Sequence, residues 1–158
     1  MQINFRLLRE AHAFLLPPQR KQKHIRFAIA SEFTRIDGRA SPDALVGMGG
    51  AITNIAAVKH QMAKYDPDVI QGSVIERTEV ERQIELYRSK TTDERRAIVG
   101  LQPKRADVIL AGVCIVKIVM DKLAKDKLSV SDRGLRHGVL IDRFAGGLGS
   151  SESTIPPR

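Results

Sequence analysis

Three segments of the sequence carry residue types that could recognise a phosphate group. Gly49 and Gly50 follow a short apolar run, and glycine lets backbone amides approach an anion closely. Arg105 stands at the start of a long apolar segment, where a guanidinium and a helix N-terminus would both attract negative charge. Residues 131–133, Ser-Asp-Arg, follow a second apolar run. These residue types are compatible with anion binding, but residue type alone does not decide in its favour.

Each segment also has a purely structural interpretation. A glycine pair between a strand and a helix is about as often simple turn geometry as an anion cradle. Arg105 could be a solvated residue at the start of a helix, and Asp132 and Arg133 could form a cap and an ion pair. His137 is expected to be a structural or surface residue. The sequence leaves these alternatives open.

No metal site or reactive thiol is predicted. The chain has four histidines and one cysteine, without the spacing of a zinc site. Cys114 lies in an apolar segment, where a cysteine usually behaves as a small hydrophobe. Charged residues interrupt the N-terminus where a signal peptide would need an apolar core, and no run of 18 apolar residues occurs. We therefore expect a cytoplasmic protein with no membrane segment.

The net charge of +8 raises the possibility of a nucleic-acid partner. Residues 1–39 hold eight basic and three acidic residues, so most of the excess lies in the first quarter of the chain. Aromatic residues make up only 4% of the chain, and no zinc-finger or RNA-recognition pattern occurs. A solvated basic face is therefore the favoured interpretation, and a nucleic-acid partner is not expected.

The ends of the chain are predicted to differ from its middle. Residues 1–19 form a leader that is stopped by Pro17 and Pro18, and residues 146–158 are rich in Gly, Ser and Pro and are expected to be disordered. An amphipathic helix is predicted from Lys21 to about Gly38.

The middle of the chain alternates short apolar runs with helical patterns. Residues 45–48 predict a buried strand that runs into the glycine pair, and an apolar helix follows. Residues 73–75 suggest an edge strand or extended connector, and residues 128–131 a further short strand. Helices are expected over 105–122, which should be the longest and the central one, and over 135–144.

Two capping boxes are predicted, at Thr78 with Glu81 and at Thr91 with Glu94. Two short parallel strands make a poor sheet, so the pattern indicates a helix-rich part of a larger α/β domain. We expect the strands of Leu45 and Leu128 to expose apolar edges that favour oligomerisation or poor solubility.

Residues 46–56, 104–112 and 131–138 together resemble motifs of the exopolyphosphatase / guanosine-pentaphosphate phosphatase (Ppx/GppA) family. The first is similar to that family's strand, Gly-Gly-Thr turn and helix, and the second to its Arg-Ala-Asp helix start. The third, Ser-Asp-Arg-Gly-Leu-Arg-His-Gly, is close to its Ser-Asp-Arg-Gly-Leu-Arg-Glu-Gly signature. The three motifs occur in family order, and the resemblance covers roughly residues 20–145.

The resemblance implies a partial actin-like ATPase (ribonuclease H-like) fold, with residues 20–145 as the C-terminal part of the second actin-like domain. It implies hydrolysis of the terminal phosphate of inorganic polyphosphate or of guanosine pentaphosphate (pppGpp), with Mg²⁺. The residues that would bind phosphate or nucleotide by this resemblance are Gly49, Gly50, Thr53, Arg105, Ser131, Asp132 and Arg133.

The chain also departs from the family pattern. Ala51 replaces the usual threonine of the Gly-Gly-Thr turn, which removes a hydroxyl that could bond phosphate. The two phosphate loops and the catalytic glutamate of the family belong before this region, so no catalytic residue is expected in this chain. The resemblance therefore predicts a fragment that is inactive alone and that needs a separate N-terminal half or a second copy of itself as partner.

The main alternative is a non-catalytic module that binds polyphosphate, an alarmone or an enzyme partner. It is motivated by the glycine pair and by the basic first quarter of the chain. A basic nucleic-acid binder is the third and least favoured hypothesis.

Overall fold

The computed structural model describes residues 41–144; the predicted leader, the helix before residue 39 and the tail lie outside them. Within this range three strands, β1 (Val46–Met48), β2 (Val74–Glu76) and β3 (Lys127–Ser131), form one sheet in the order β1-β3-β2. Strand β3 runs parallel to β1, with Met48 opposite Ser131, and antiparallel to β2. The carboxyl ends of β1 and β3 therefore meet at one edge of the sheet.

Helices make up most of the remaining described chain. They are α1 (Gly50–Lys59), α2 (Pro67–Ile70), α3 (Arg77–Arg88), α4 (Thr92–Arg96), a 3₁₀ turn (Pro103–Arg105), α5 (Ile109–Lys122) and α6 (Leu135–Phe144). None of the helices within residues 41–144 combines the length and the apolar character needed to span a bilayer.

Helix α1 occupies the centre of the described structure. It packs against all three strands on one side and against α5 on the other. Every residue from 52 to 58 is buried, because this stretch is apolar apart from Thr53 and Asn54. The prediction that the helix of residues 105–122 is central was therefore wrong. Its counterpart α5 is the longest described helix, but several of its side chains stay half-buried.

The edges of the sheet differ from those expected. Strand β3 lies between its two neighbours, so Leu128 is buried and the prediction of an apolar edge on that strand was wrong. Among the described residues β1 has one neighbour, and its Val46 and Met48 side chains are 57% and 58% exposed. The prediction of a buried strand was thus wrong for these two side chains. The prediction of an edge strand at residues 73–75 is confirmed by β2.

The two predicted capping boxes had different outcomes. At Thr91, the backbone N–H donates to the Glu94 carboxylate at 2.7 Å and the Glu94 N–H donates to the hydroxyl, which confirms the box. At Thr78 the prediction was wrong, because β2 continues directly into α3 with Glu76 as the N-cap. The Arg77 N–H donates to the Asp126 carbonyl at 2.9 Å, and the helix begins two residues earlier than the predicted N-cap would place it.

Candidate functional site

The junction of β1 and α1 presents backbone donors to solvent. Gly49 is exposed with φ +96°, a conformation that other residues rarely adopt, and no heavy atom lies within 4 Å of the place where its Cβ would be. The first N–H groups of a helix have no acceptor within the helix, and they carry partial positive charge. The first turn of α1 contains no acidic residue that would satisfy them. The junction therefore has the geometry of an anion-binding turn.

The Arg105 guanidinium covers this junction. A Cβ built on Gly50 would lie 2.5 Å from Arg105 Nη2 and 2.8 Å from Cζ, so the side chain packs directly against the glycine. Arg105 does not begin the long helix as predicted. It ends a 3₁₀ turn closed by a 2.8 Å bond from its N–H to the Gln102 carbonyl, and α5 begins four residues later. This turn brings the guanidinium to Gly50.

Asn54 connects the two segments that form this part of the site. Its side chain is 1% exposed and donates through Nδ2 to the Gly50 carbonyl at 2.7 Å. Its Oδ1 accepts from the Gln102 N–H at 2.8 Å, immediately before the 3₁₀ turn. Because a buried amide group is costly unless it is hydrogen-bonded, this double contact fixes the loop of Arg105 relative to α1.

The segment after β3 reaches α1 through Tyr65. The Tyr65 hydroxyl donates to Asp132 Oδ1 at 2.6 Å, and the Asp132 N–H donates to Gln71 Oε1 at 2.9 Å. Burial and the Asp132 carboxylate raise the pKa of the Tyr65 phenol to about 12, so the phenol stays protonated. Thr53 acts in the opposite direction and lowers the same pKa. Tyr65 and Gln71 together therefore hold Asp132 where the chain leaves β3.

The predicted site residues fall on two sides of the α1 N-terminus. Gly49, Gly50 and Thr53 belong to it and Arg105 packs against it, whereas Ser131 stands opposite Met48 in the sheet and Asp132 accepts from Tyr65. Arg133 is exposed, and its N–H donates to the Ser131 hydroxyl at 3.3 Å. Within residues 41–144 Asp132 forms no ion pair with Arg133, so the structural ion pair considered from the sequence is not formed.

Sequence reasoning missed the residues that hold the site together. Asn54 could have been noticed as a polar residue inside an apolar helical run, which is a common sign of a buried hydrogen-bonding role. Tyr65-Asp66-Pro67 resembles a family segment at its expected place between the first two motifs, but this gave Tyr65 no role in the site, and Gln71 has no local pattern that distinguishes it. Both side chains hydrogen-bond to Asp132, which is more than 60 positions away in the sequence, so no local spacing predicts these contacts.

The described residues do not fit a Mg²⁺ site by themselves. No group of three His, Cys, Asp or Glu side chains within residues 41–144 is placed to hold a metal ion. Asp132 is the only carboxylate among the predicted site residues, and Tyr65 already donates to it. Mg²⁺ is usually held by one or two carboxylates together with substrate phosphates and water.

The chain is similar to proteins that hydrolyse phosphate groups. A model of the Ppx/GppA phosphatase family matches residues 16–145. A bifunctional 3-dehydroquinate synthase/phosphatase of Fusobacterium nucleatum is 31% identical over 98 residues, which cover 62% of this chain and 14% of that protein. Exopolyphosphatase 2 of Mycobacterium tuberculosis is 27% identical over 100 residues, covering 61% of this chain and 31% of the relative.

Solved structures show the same similarity. A Ppx/GppA family member from Aquifex aeolicus superimposes with a TM-score of 0.81 and 29% identity, covering 95% of this chain and 49% of the other. An exopolyphosphatase from Cytophaga hutchinsonii shares the fold at a TM-score of 0.63 and 21% identity, covering 79% of this chain and 40% of that one. The chain thus spans about half or less of each relative's length. The predicted partial actin-like fold and the family resemblance are confirmed.

Proposed function

Because the chain belongs to the Ppx/GppA phosphatase family, we propose that it forms one wall of the phosphate-binding cleft of a phosphoanhydride hydrolase. The substrate would be inorganic polyphosphate or guanosine pentaphosphate, and the protein would act in the cytoplasm. The relatives named as exopolyphosphatases support polyphosphate as the first substrate to test. The bifunctional relative is named only as a phosphatase, which supports the broader class of reaction.

The packing of Arg105 against Gly50 carries this proposal. It places a delocalised positive charge beside the first turn of a ten-residue helix, whose leading amides have no acceptor within the helix. Guanidinium groups and helix N-termini are both suited to phosphate oxygens, and together they would bind a terminal phosphate and stabilise the charge that develops on it during hydrolysis. Phosphate entering here would meet backbone at Gly49, where no side chain obstructs the approach.

In this proposal the chain binds and orients phosphate, and the group that activates water comes from the rest of a family-type protein. Asp132 is a poor candidate for a general base because its carboxylate already accepts from Tyr65. A separate N-terminal half would be the partner that supplies this group, whereas a second copy of this chain would add only further phosphate-binding surface. Mg²⁺ would be held mainly by the substrate phosphates and that partner.

The hydrogen bond that Asp132 accepts from Tyr65 also supports a second candidate, a binding module without catalysis. The donors at the α1 N-terminus could hold polyphosphate or an alarmone without any group that activates water. The two candidates differ in one respect. The hydrolase requires a partner that restores turnover, whereas the module binds and releases its ligand unchanged.

The deciding experiment measures phosphate release from polyphosphate and guanosine pentaphosphate in the presence of Mg²⁺. The purified chain is assayed alone and mixed with the separately expressed N-terminal half of a family member, while binding of tripolyphosphate is measured by calorimetry. We expect binding by the chain alone and release only in the mixture. Binding without release in either sample would support the module, and absence of both would contradict the two candidates.

Arg105→Ala tests the observation that carries the proposal. We expect it to weaken tripolyphosphate binding about tenfold, because a charge-assisted hydrogen bond contributes roughly 1.5–3 kcal/mol and this side chain is only half-buried. Lys104→Ala is the matched control, since this exposed neighbour lies in the same 3₁₀ turn and carries the same charge. If both variants lose the same affinity for tripolyphosphate, only net charge matters. That result would contradict a specific site at Gly50.

A further inference from the structure

Tyr65 occupies a position that the phosphate-binding residues do not explain. It lies in the loop between α1 and α2, at neither strand end, and none of the motifs used to predict the site depends on it. Its hydroxyl nevertheless donates to Asp132 at 2.6 Å, across 67 positions of sequence. One side chain from the loop after α1 thus contacts the turn that follows β3, which the sheet places beside the end of β1.

We propose that Tyr65 is a positioning residue, which holds the turn of residues 131–133 beside the N-terminus of α1 so that both can contact one phosphate chain. The inference rests on the proposed function, because it assigns Tyr65 a role in phosphate binding at that same site. Tyr65 contacts no phosphate itself in this arrangement. It acts through Asp132.

The charges around Tyr65 explain why such a residue is needed. A carboxylate next to an anion site repels phosphate, and the hydrogen bond from the neutral phenol holds the Asp132 oxygen in one place without cancelling its charge. Gln71 holds the other side of the same residue by accepting from its N–H at 2.9 Å. With both contacts in place, the Asp132 carboxylate is directed toward Tyr65, and the Arg133 side chain stays exposed.

The sheet supplies the second reason for this assignment. Parallel pairing of β1 and β3 sets Met48 opposite Ser131, so the chain leaves both strands at the same edge. Nothing in that pairing fixes the direction in which residues 132–134 continue, because the ladder ends at Ser131. Within residues 41–144 the side chains that hydrogen-bond to Asp132 are those of Tyr65 and Gln71. The hydroxyl of Tyr65 therefore orients the turn that the sheet only brings near.

Calorimetric titration of the full 158-residue chain with tripolyphosphate tests the inference. We expect Tyr65→Phe to weaken binding about fivefold to tenfold. Tyr87→Phe is the matched control: it removes a phenol hydroxyl that donates to Gln83 at 2.7 Å in the core, away from the site. It should lower stability, because it leaves a buried acceptor unpaired, yet it should change the dissociation constant less than twofold.

A double-mutant cycle with Asp132→Asn separates positioning from a general loss of structure. If Tyr65 acts through Asp132, Tyr65→Phe should cost clearly less affinity in the Asp132→Asn background than in the wild type. Amide NMR without ligand gives an independent measure, since Tyr65→Phe should shift the signal of the Asp132 amide, whose N–H donates to Gln71.

The outcomes distinguish the two proposals. The role of Tyr65 is overturned if the wild type binds tripolyphosphate and Tyr65→Phe binds it equally well. It is also overturned if Tyr65→Phe loses the same affinity in the wild type and in Asp132→Asn. Either result leaves the proposed function standing. No binding by the wild type overturns the proposed function and, with it, the phosphate role of Tyr65.

Discussion

At the scale of single residues, Gly50 matters for the space that it leaves rather than for its backbone conformation. Its missing side chain is what allows the Arg105 guanidinium to lie against the start of α1. Asn54 fixes the Arg105 loop through its hydrogen bonds to the Gly50 carbonyl and the Gln102 N–H. The anion site therefore depends on the missing side chain of Gly50, the charge of Arg105 and the buried Asn54 amide, which holds the Arg105 loop against α1.

Gly50→Ala separates binding from stability. The new methyl group would displace the end of a flexible arginine rather than backbone, and alanine is favoured over glycine within a helix by roughly 0.5–1 kcal/mol. We therefore expect the free energy of unfolding in urea to stay unchanged or rise, while tripolyphosphate binding weakens severalfold. Gly138→Ala in α6, where a Cβ meets no atom within 4 Å, is the control and should keep full affinity. Unchanged binding in Gly50→Ala would count against Arg105 as a phosphate ligand.

At the scale of elements, the local signals in the sequence predicted much of what the structure contains. The glycine pair after β1, the capping box at Thr91 and the helix of residues 135–144 all depend on chemistry within a few positions. The errors concern contacts between residues that are far apart in the sequence. The start of α3 depends on Asp126, and the central position of α1 depends on packing by three strands and α5. The same limit explains why the glycines and Arg105 were predicted as site residues but Tyr65 and Asn54 were not.

Gly100, in the loop between α4 and the 3₁₀ turn, lies directly against the backbone of α1. It has φ +88°, and a Cβ at this position would lie 2.3 Å from the Ala57 carbonyl oxygen of α1. We expect Gly100→Ala to destabilise the chain by about 3 kcal/mol, combining the strain of a positive φ with a forced shift of backbone. Urea unfolding measures this loss.

Gly72→Ala is the control for that measurement. Gly72 has a similar φ of +80°, but a Cβ there meets nothing within 4 Å, so this variant should lose only about 1 kcal/mol. Equal losses in the two variants would show that backbone strain alone is responsible and that the contact with α1 is unimportant.

At the scale of the whole molecule, apolar surface is concentrated where the described structure has no neighbour. Strand β1 exposes Val46 and Met48, and α6 exposes five large apolar side chains along its length: Leu135, Val139, Leu140, Ile141 and Phe144. Surface of this kind favours association, and an unpaired strand edge provides hydrogen-bonding groups for it. The expectation of oligomerisation or poor solubility from the sequence stays a prediction, now assigned to β1 rather than to β3.

Val46→Lys tests this prediction. A charge on the exposed face of an edge strand opposes the approach of a second strand, so we expect the variant to sediment closer to the monomer than the wild type does in analytical ultracentrifugation. Val99→Lys is the control, because Val99 is similarly exposed at 53% but lies outside the sheet. A wild-type chain that already sediments as a single monomeric species would contradict the prediction.

The central position of β3 also has a consequence for the order in which the molecule assembles. Its residues follow those of β1 by about 80 positions, so the pairing that brings the two halves of the site together closes one of the longest loops in the described chain. Contacts so distant in sequence form late during folding, and on the ribosome they must wait until residue 131 has emerged. The helices can form earlier, but the anion site is completed only when the last strand enters the sheet.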